Sequence, residues 1–197
     1  MNLRKLLSFS ELITAFGKVE RVPFFPGTER CETDIEHSYQ LAMLAWYLVS
    51  STKLDLNLSK ILQLALAHDL VEVHAGDTYV YSTDTAHLES KKERETAAAK
   101  KLAEDFPELH DVHSAIAEYE QRESREARFV YALDKILPLI VNYEGNGIGW
   151  KKHGVTLQML IDKKTTQVAL SPEIEPYFND LIALLRENEG KLFPAQP

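Results

Sequence analysis

An all-α domain is predicted by three features of the sequence. Apolar residues recur at helical spacing along most of the chain, and Pro, Gly, Asn and Ser breakers cut that pattern into helix-sized segments. Strand-like alternation is confined to short pieces such as Thr78-Tyr79-Val80-Tyr81, too isolated to build a sheet that stands alone. Helices are expected near 3–18, 34–52, 58–75, 89–105, 110–121, 124–143, 154–168 and 173–190. Two longer irregular segments remain, Arg21 to Thr33 and Gly76 to His87. Loops of that length are uncommon in a compact helical domain and tend to carry function, so one or both are expected to border a site.

Three of the helices place polar groups where apolar ones belong. In the second, Leu41, Leu44 and Leu48 follow His37 by four, seven and eleven residues, which puts the imidazole on the inward face. In the third, Ile61, Ala65, His68 and Glu72 share one stripe, and Leu62, Leu66 and Asp69 share the next. In the sixth, Ala127, Val130, Asp134, Leu137 and Val141 form an apolar stripe with a carboxylate at its middle. Pro138, four residues after Asp134, has no N–H for the Asp134 carbonyl, so a local kink is expected there, serving either to aim the carboxylate or simply to pack.

A buried, unpaired carboxylate costs several kcal/mol, so polar groups on three separate helices need a common partner. A divalent cation supplies one. Two imidazoles and two carboxylates suit Mn²⁺, Fe²⁺, Co²⁺, Ni²⁺ or Zn²⁺, with Mg²⁺ also admissible, better than calcium, which prefers all-oxygen cages.

Composition bounds the rest. A chain of 197 residues is long enough for one fair-sized domain, burying roughly 70% of the surface its unfolded form exposes. No fixed-period repeat or long linker divides it, so residues 1–197 are read as a single domain. The net charge of −8 disfavours a nucleic-acid-coating role, which needs a broad Lys/Arg surface. A lone Cys31 excludes an intrachain disulfide and a cysteine zinc cage, as befits a reducing compartment. The longest apolar run, Leu41 to Val49, is far too short to span a bilayer. Ser8, Ser10 and Glu11 break any signal-like core after Arg4 and Lys5. The expected setting is therefore cytoplasmic, with no membrane and no nucleic acid as partner.

His37, then His68-Asp69, then Asp134 resembles the H…HD…D order of the HD metal-dependent phosphohydrolase superfamily. More narrowly, Arg21-Val22-Pro23, Glu36-His37-Ser38, His68-Asp69-Leu70-Val71-Glu72 and Gly76-Asp77 resemble the bacterial 5′-deoxynucleotidases and their eukaryotic HD-domain relatives, over about residues 5–145. The resemblance implies an HD-type helical bundle with one divalent ion held by His37, His68, Asp69 and Asp134. It further implies that Arg21, Glu72 and Asp77 handle phosphate and proton transfer, in hydrolysis of nucleoside 5′-monophosphates, deoxyribonucleotides above all. A homodimer is also suggested by family likeness.

The chemistry agrees with those residue types. Glu72, one turn after His68, projects beside the ion and could deprotonate or orient the attacking water. Asp77 would work near the leaving 5′ oxygen or its ribose, and Arg21 offers a planar fork matched to phosphate oxygens. Val73 follows Glu72 where hydrolases of alarmone nucleotides carry Asp, which disfavours that branch. Val22 stands where the bacterial nucleotidases have an aromatic, and the Arg21-to-His37 spacing leaves Arg30 as an alternative to Arg21. Other readings are a phosphodiesterase or another phosphomonoesterase on the same metal site, and a nucleotide-binding module that keeps the ion without turnover. His110 and His113 are read as solvated, the charged run Lys91 to Glu95 as a helix face, and Asn146 to Lys151 as a turn flanking the site.

Overall fold

The computed structural model describes residues 2–82 and 84–195; Thr83 in the second irregular segment and the chain's extreme ends lie outside them. Its helices are α1 (Leu3–Phe16), α2 (Asp34–Thr52), α3 (Leu58–Ala67), α4 (Glu72–Ala75), α5 (Thr85–Glu89), α6 (Lys91–Asp105), α7 (His110–Gln121), α8 (Arg125–Glu144), α9 (Ile148–His153), α10 (Leu157–Val168), α11 (Glu175–Glu187) and α12 (Glu189–Leu192). Two short strands, β1 (Glu20–Phe24) and β2 (Cys31–Thr33), complete the described residues.

The all-α expectation is met, with a single two-stranded addition. Polar caps set several helix starts: Asn57, Ser124 and Thr156 each accept a backbone N–H from the first turn of α3, α8 and α10. A capping box made by Thr33 and Glu36 starts α2. The centre of the molecule is α8, whose Ala127, Val130, Leu137 and Val141 are at most 1% exposed. It packs against α2, α3, α7, α10, α11 and β1, so its middle turn faces several elements at once.

Several local expectations need correction. The segment Arg21 to Thr33 is not irregular throughout: it contains an antiparallel hairpin, Glu20 opposite Thr33 and Phe24 opposite Cys31. Pro23, Pro26 and Gly27 obscure strand patterning in the sequence, and the pair is held by packing on α8 rather than by propensity. The expected helix 58–75 is broken. It ends at Ala67, and i→i+3 bonds (Leu70 N to Ala67 O, Glu72 N to Asp69 O) tighten the chain before α4. On the stripe shared by Leu62, Leu66 and Asp69, Leu66 is 53% exposed. Thr78 to Tyr81 is loop and turn with no strand partner among the described residues, in keeping with its isolation in the sequence, whereas Asn146 to Lys151, expected as a turn, runs into α9. Through Pro138, α8 continues as helix, and the Pro138 carbonyl accepts the Asn142 side-chain amide at 2.8 Å.

Candidate active site

Five segments deliver the polar cluster. His37 comes from the first turn of α2, His68 and Asp69 from the turn that ends α3, and Asp134 from the middle of α8. Arg21 comes from β1 and Glu72 opens α4. His37 Nε2 lies 2.9 Å from Asp134 Oδ1 and 3.9 Å from Asp69 Oδ2. His68 Nε2 lies 3.0 Å from Asp69 Oδ2 and 3.9 Å from Asp134 Oδ1. Donors bound at about 2.1 Å to one ion are separated by roughly 3.0 to 3.4 Å along the edges of an octahedron or tetrahedron. The observed separations bracket that range.

The imidazoles are oriented for the same role. His68 Nδ1 donates to the Ala65 carbonyl at 2.9 Å, which turns the buried Nε2 to the cluster. Burial opposes charging of this ring, but the Asp69 carboxylate raises its pKa above the ordinary value, and a cation would replace that proton. Burial, reinforced by the nearby Arg21 charge, pushes the His37 imidazole down to about 4, so it is neutral and able to ligate. Asp134 directs Oδ1 to the histidines, while Oδ2 accepts from Tyr119 Oη at 2.6 Å and Lys135 Nζ at 2.5 Å. Burial opposes ionisation of Asp134, but Lys135 and the two histidines hold it well below the usual carboxylate range.

Around these four lies an excess of negative charge. Arg21 Nη1 reaches Asp69 Oδ2 at 2.8 Å and Asp34 Oδ1 at 3.0 Å, and its Nε is 3.7 Å from Glu32 Oε2. Carboxylate oxygens of Asp34, Asp69 and Glu72 lie within 4.8 Å of one another. Burial, followed by the neighbouring Asp69 and Asp77 charges, pushes the Glu72 carboxyl far above the ordinary carboxylate range. Burial likewise lifts Glu32 and Asp34 to about 7. A cluster so rich in acceptors, with a buried imidazole nitrogen facing its centre, fits a divalent cation.

All seven expected site residues fall in this region. Asp77, released from α4 by Gly76 at φ +73°, lines a small inner cleft with Arg21, Asp69 and Glu72. Arg30 lies outside the cluster, its guanidinium paired with Glu36 at 2.5 and 2.8 Å on the surface. Arg94 is committed to the loop: it donates to the Ala75 carbonyl at 2.7 Å and to Thr78 Oγ1 at 2.8 Å. The inner cleft adjoins a larger cavity of about 730 Å³ beside His68, Asp69 and Tyr119. That volume is ample for a small molecule, whose pockets span roughly 300–1,000 Å³.

Sequence reasoning missed Glu32, Asp34, Tyr119, Lys135 and Lys164. Glu32 is fully buried, accepts from Gln40 Nε2 at 3.1 Å and lies 3.9 Å from His37 Nδ1, where it backs the imidazole. Glu32 and Asp34 flank the capping Thr33 and read as ordinary helix-start acids. The signal that could have found them is their place at the end of the irregular segment expected to border the site.

Comparison with known proteins places the cluster in context. A family model described as "HD domain" matches residues 18–175. The chain is 33% identical over 138 residues to 5′-deoxynucleotidase HDDC2 of Bos taurus, covering 67% of this chain and 63% of that protein. It is 32% identical to the Homo sapiens protein of the same name, with 67% and 64% covered. It thus spans a little under two thirds of the length of those relatives. Among solved structures, a predicted metal-dependent phosphohydrolase from Magnetospirillum magnetotacticum superposes with a TM-score of 0.82 at 31% identity, with 98% of each chain covered. A conserved hypothetical protein from Pyrococcus furiosus shares the fold, with a TM-score of 0.62 at 22% identity, 90% of this chain and 99% of the other being covered.

Proposed function

Because the chain belongs to the HD domain family, we propose that it is a metal-dependent phosphohydrolase that releases phosphate from nucleoside 5′-monophosphates, deoxyribonucleotides above all. The observation that carries this reading is the meeting of two imidazole nitrogens and two carboxylates from three helical segments, beside an arginine and a proton-holding carboxyl. The 5′-deoxynucleotidase names of the relatives and the phosphohydrolase description of the solved neighbour supply the substrate class.

His37, His68, Asp69 and Asp134 would hold one divalent ion of the Mn, Fe, Co, Ni, Zn or Mg type. Such an ion, when bound, acidifies water and polarises a phosphate oxygen. Glu72 stands next to Asp69 with a free Oε2 buried in the cluster; with a bound cation offsetting the neighbouring negative charge, its carboxyl would ionise, take a proton from the attacking water and return it later. Asp77, in the same cleft, orients the 5′ end of the substrate or protonates its leaving oxygen. Arg21 has no hydrogen bond on Nη2 among the described residues, so part of its fork remains for phosphate.

The whole of residues 1–197 is proposed to act as one HD-type domain in the cytoplasm, on a small-molecule nucleotide and without nucleic acid or membrane. No helix among the described residues is long and apolar enough to cross a bilayer. The exposed face of α2 carries Tyr39, Met43, Trp46 and Tyr47, a stripe that supports self-association as a homodimer. Sedimentation velocity measures that directly, and a monomer at working concentration would remove it.

The activity is tested by phosphate release from dAMP, dCMP and dGMP, with a phosphodiester panel alongside, after loading with Mn²⁺ or Co²⁺. Release is expected, and loss in the His68→Ala variant. If the protein releases none with any ion and His68→Ala behaves identically, the reading fails.

A further inference from the structure

One buried charge has no part in the chemistry described so far. Lys164 lies on α10, beyond the segment whose motifs resemble the nucleotidases, and it is only 4% exposed. Among the described residues no acceptor lies within hydrogen-bond or ion-pair distance of its ammonium; the corresponding group of Lys135 is paired with Asp134 and that of Lys91 with Glu95. Among the charges around it, Asp134 attracts the ammonium, but burial and the like charges of Lys135, Lys163 and Arg21 outweigh that attraction. An unpaired ammonium in such a place destabilises the folded chain. Its place on the cleft wall points to a partner that arrives from outside.

The position of Lys164 says what that partner is. The side chain lines the inner cleft together with Arg21, Asp69, Glu72, Asp77 and Lys135, and it also lines the larger cavity. That larger cavity is bordered by six Lys and Arg residues against three Asp and Glu, an excess of positive charge on a chain whose net charge is −8. A low-dielectric cleft with such a lining concentrates small anions. The anion has to reach the cluster that holds Arg21 and Glu72, and a phosphate dianion meets that requirement.

We propose that Lys164 is a further substrate-binding residue, whose ammonium takes an oxygen of the substrate's phosphate, so that α10 completes the active site. This rests on the phosphohydrolase reading above, and it predicts an effect on binding that exists without turnover. Burial pushes the free Lys164 ammonium down to about 7. An arriving dianion would stabilise its charged form.

The test uses the full chain loaded with Mn²⁺ and inorganic phosphate as the probe, with affinity read by calorimetry. Lys164→Met and Lys164→Gln are expected to weaken phosphate binding by about tenfold or more, to raise KM for the nucleotide more than they lower kcat, and to leave metal content unchanged. Both variants should melt at or above the wild-type temperature in the absence of phosphate, because an unpaired buried charge has been removed. Lys164→Arg should recover part of the affinity. Unchanged phosphate affinity in Lys164→Met and Lys164→Gln would overturn the proposal. So would a large fall in melting temperature in both, which marks a structural lysine. If the wild type releases no phosphate from any nucleotide yet binds phosphate through Lys164, the nucleotidase reading falls and the Lys164 site stands.

Discussion

Glu72 and Lys164 illustrate opposite consequences of burial at the same cleft. Burial, with Asp69 and Asp77 near, favours the protonated carboxyl of Glu72, while burial of Lys164 disfavours its ammonium. For Glu72 the proposed consequence is catalytic. Glu72→Gln keeps size and hydrogen bonding but cannot exchange the proton, so kcat should fall by about 10²- to 10⁴-fold with metal content intact. Steady-state kinetics alongside elemental analysis checks this; an unchanged kcat would leave Glu72 a structural acid. For Lys164 the consequence is a pH dependence of stability. Its folded-state value of about 7 lies below the ordinary 10.5, so between those values the unfolded chain binds the extra proton. Stability therefore rises with pH across that window, and the penalty is fully present below it. The charges facing this group are Lys135 and Asp134 from α8, Lys163 from α10 and Arg21 from β1. Urea unfolding of the metal-loaded protein from pH 6.5 to 9, roughly the accessible part of the window, should show wild type gaining on Lys164→Met. Parallel curves would contradict a buried ammonium. None of this was legible in the sequence, where Lys164 sits beside Lys163 in an amphipathic helix and reads as solvent-facing. His37 and Asp134 were legible because each interrupts an otherwise apolar stripe.

Elements differ in how far local pattern decided them. Both α2 and α8 follow their apolar periodicity to within a residue or two of the expected ends, and both are set by caps visible as Thr33, Glu36 and Ser124. The turn at 68–71 was not visible, because nothing in His68-Asp69-Leu70-Val71 forbids helix; it serves to bury His68 and Glu72 in one cluster beside the partly exposed Asp69. The hairpin was hidden for a related reason, since its strands are short and depend on α8 for support. At α9 the determining contact is steric. Gly147 begins that helix at φ +68°, and a Cβ there would stand 1.9 Å from the Leu192 carbonyl oxygen. Gly147→Ala should therefore cost about 2–4 kcal/mol, combining left-handed strain with overpacking. Gly154, at φ +64° with no atom within 4 Å of a built Cβ, is the control. Its replacement by Ala should cost only about 1 kcal/mol. Chemical denaturation separates the two, and equal costs would show that the Leu192 contact yields easily.

At the scale of the whole molecule, the cluster adds a polar tie between elements that the apolar core already packs together. His37, His68, Asp69 and Asp134 join α2, the turn after α3 and the centre of α8, while Arg21 brings in β1. Without a cation, the carboxylates of Asp34, Asp69 and Glu72 face one another with only Arg21 between them. Burial, followed by the Asp69 charge, lifts the Asp34 and Glu72 carboxyls, and protonation then relieves part of that repulsion. A bound ion removes that repulsion and is present only in the folded state, so it stabilises by mass action, about 4 kcal/mol at a thousandfold excess over its dissociation constant. In a chain of this size each kcal/mol moves the midpoint by about 2–4 °C. Chelation should accordingly lower the melting temperature by roughly 10 °C, and re-addition of Mn²⁺ or Co²⁺ should restore it. The His68→Ala variant should show no response to either treatment, because the ion has lost a ligand whose Nε2 faces the centre. A melting temperature indifferent to chelator in the wild type, with no metal by elemental analysis, would mean that these polar groups satisfy one another.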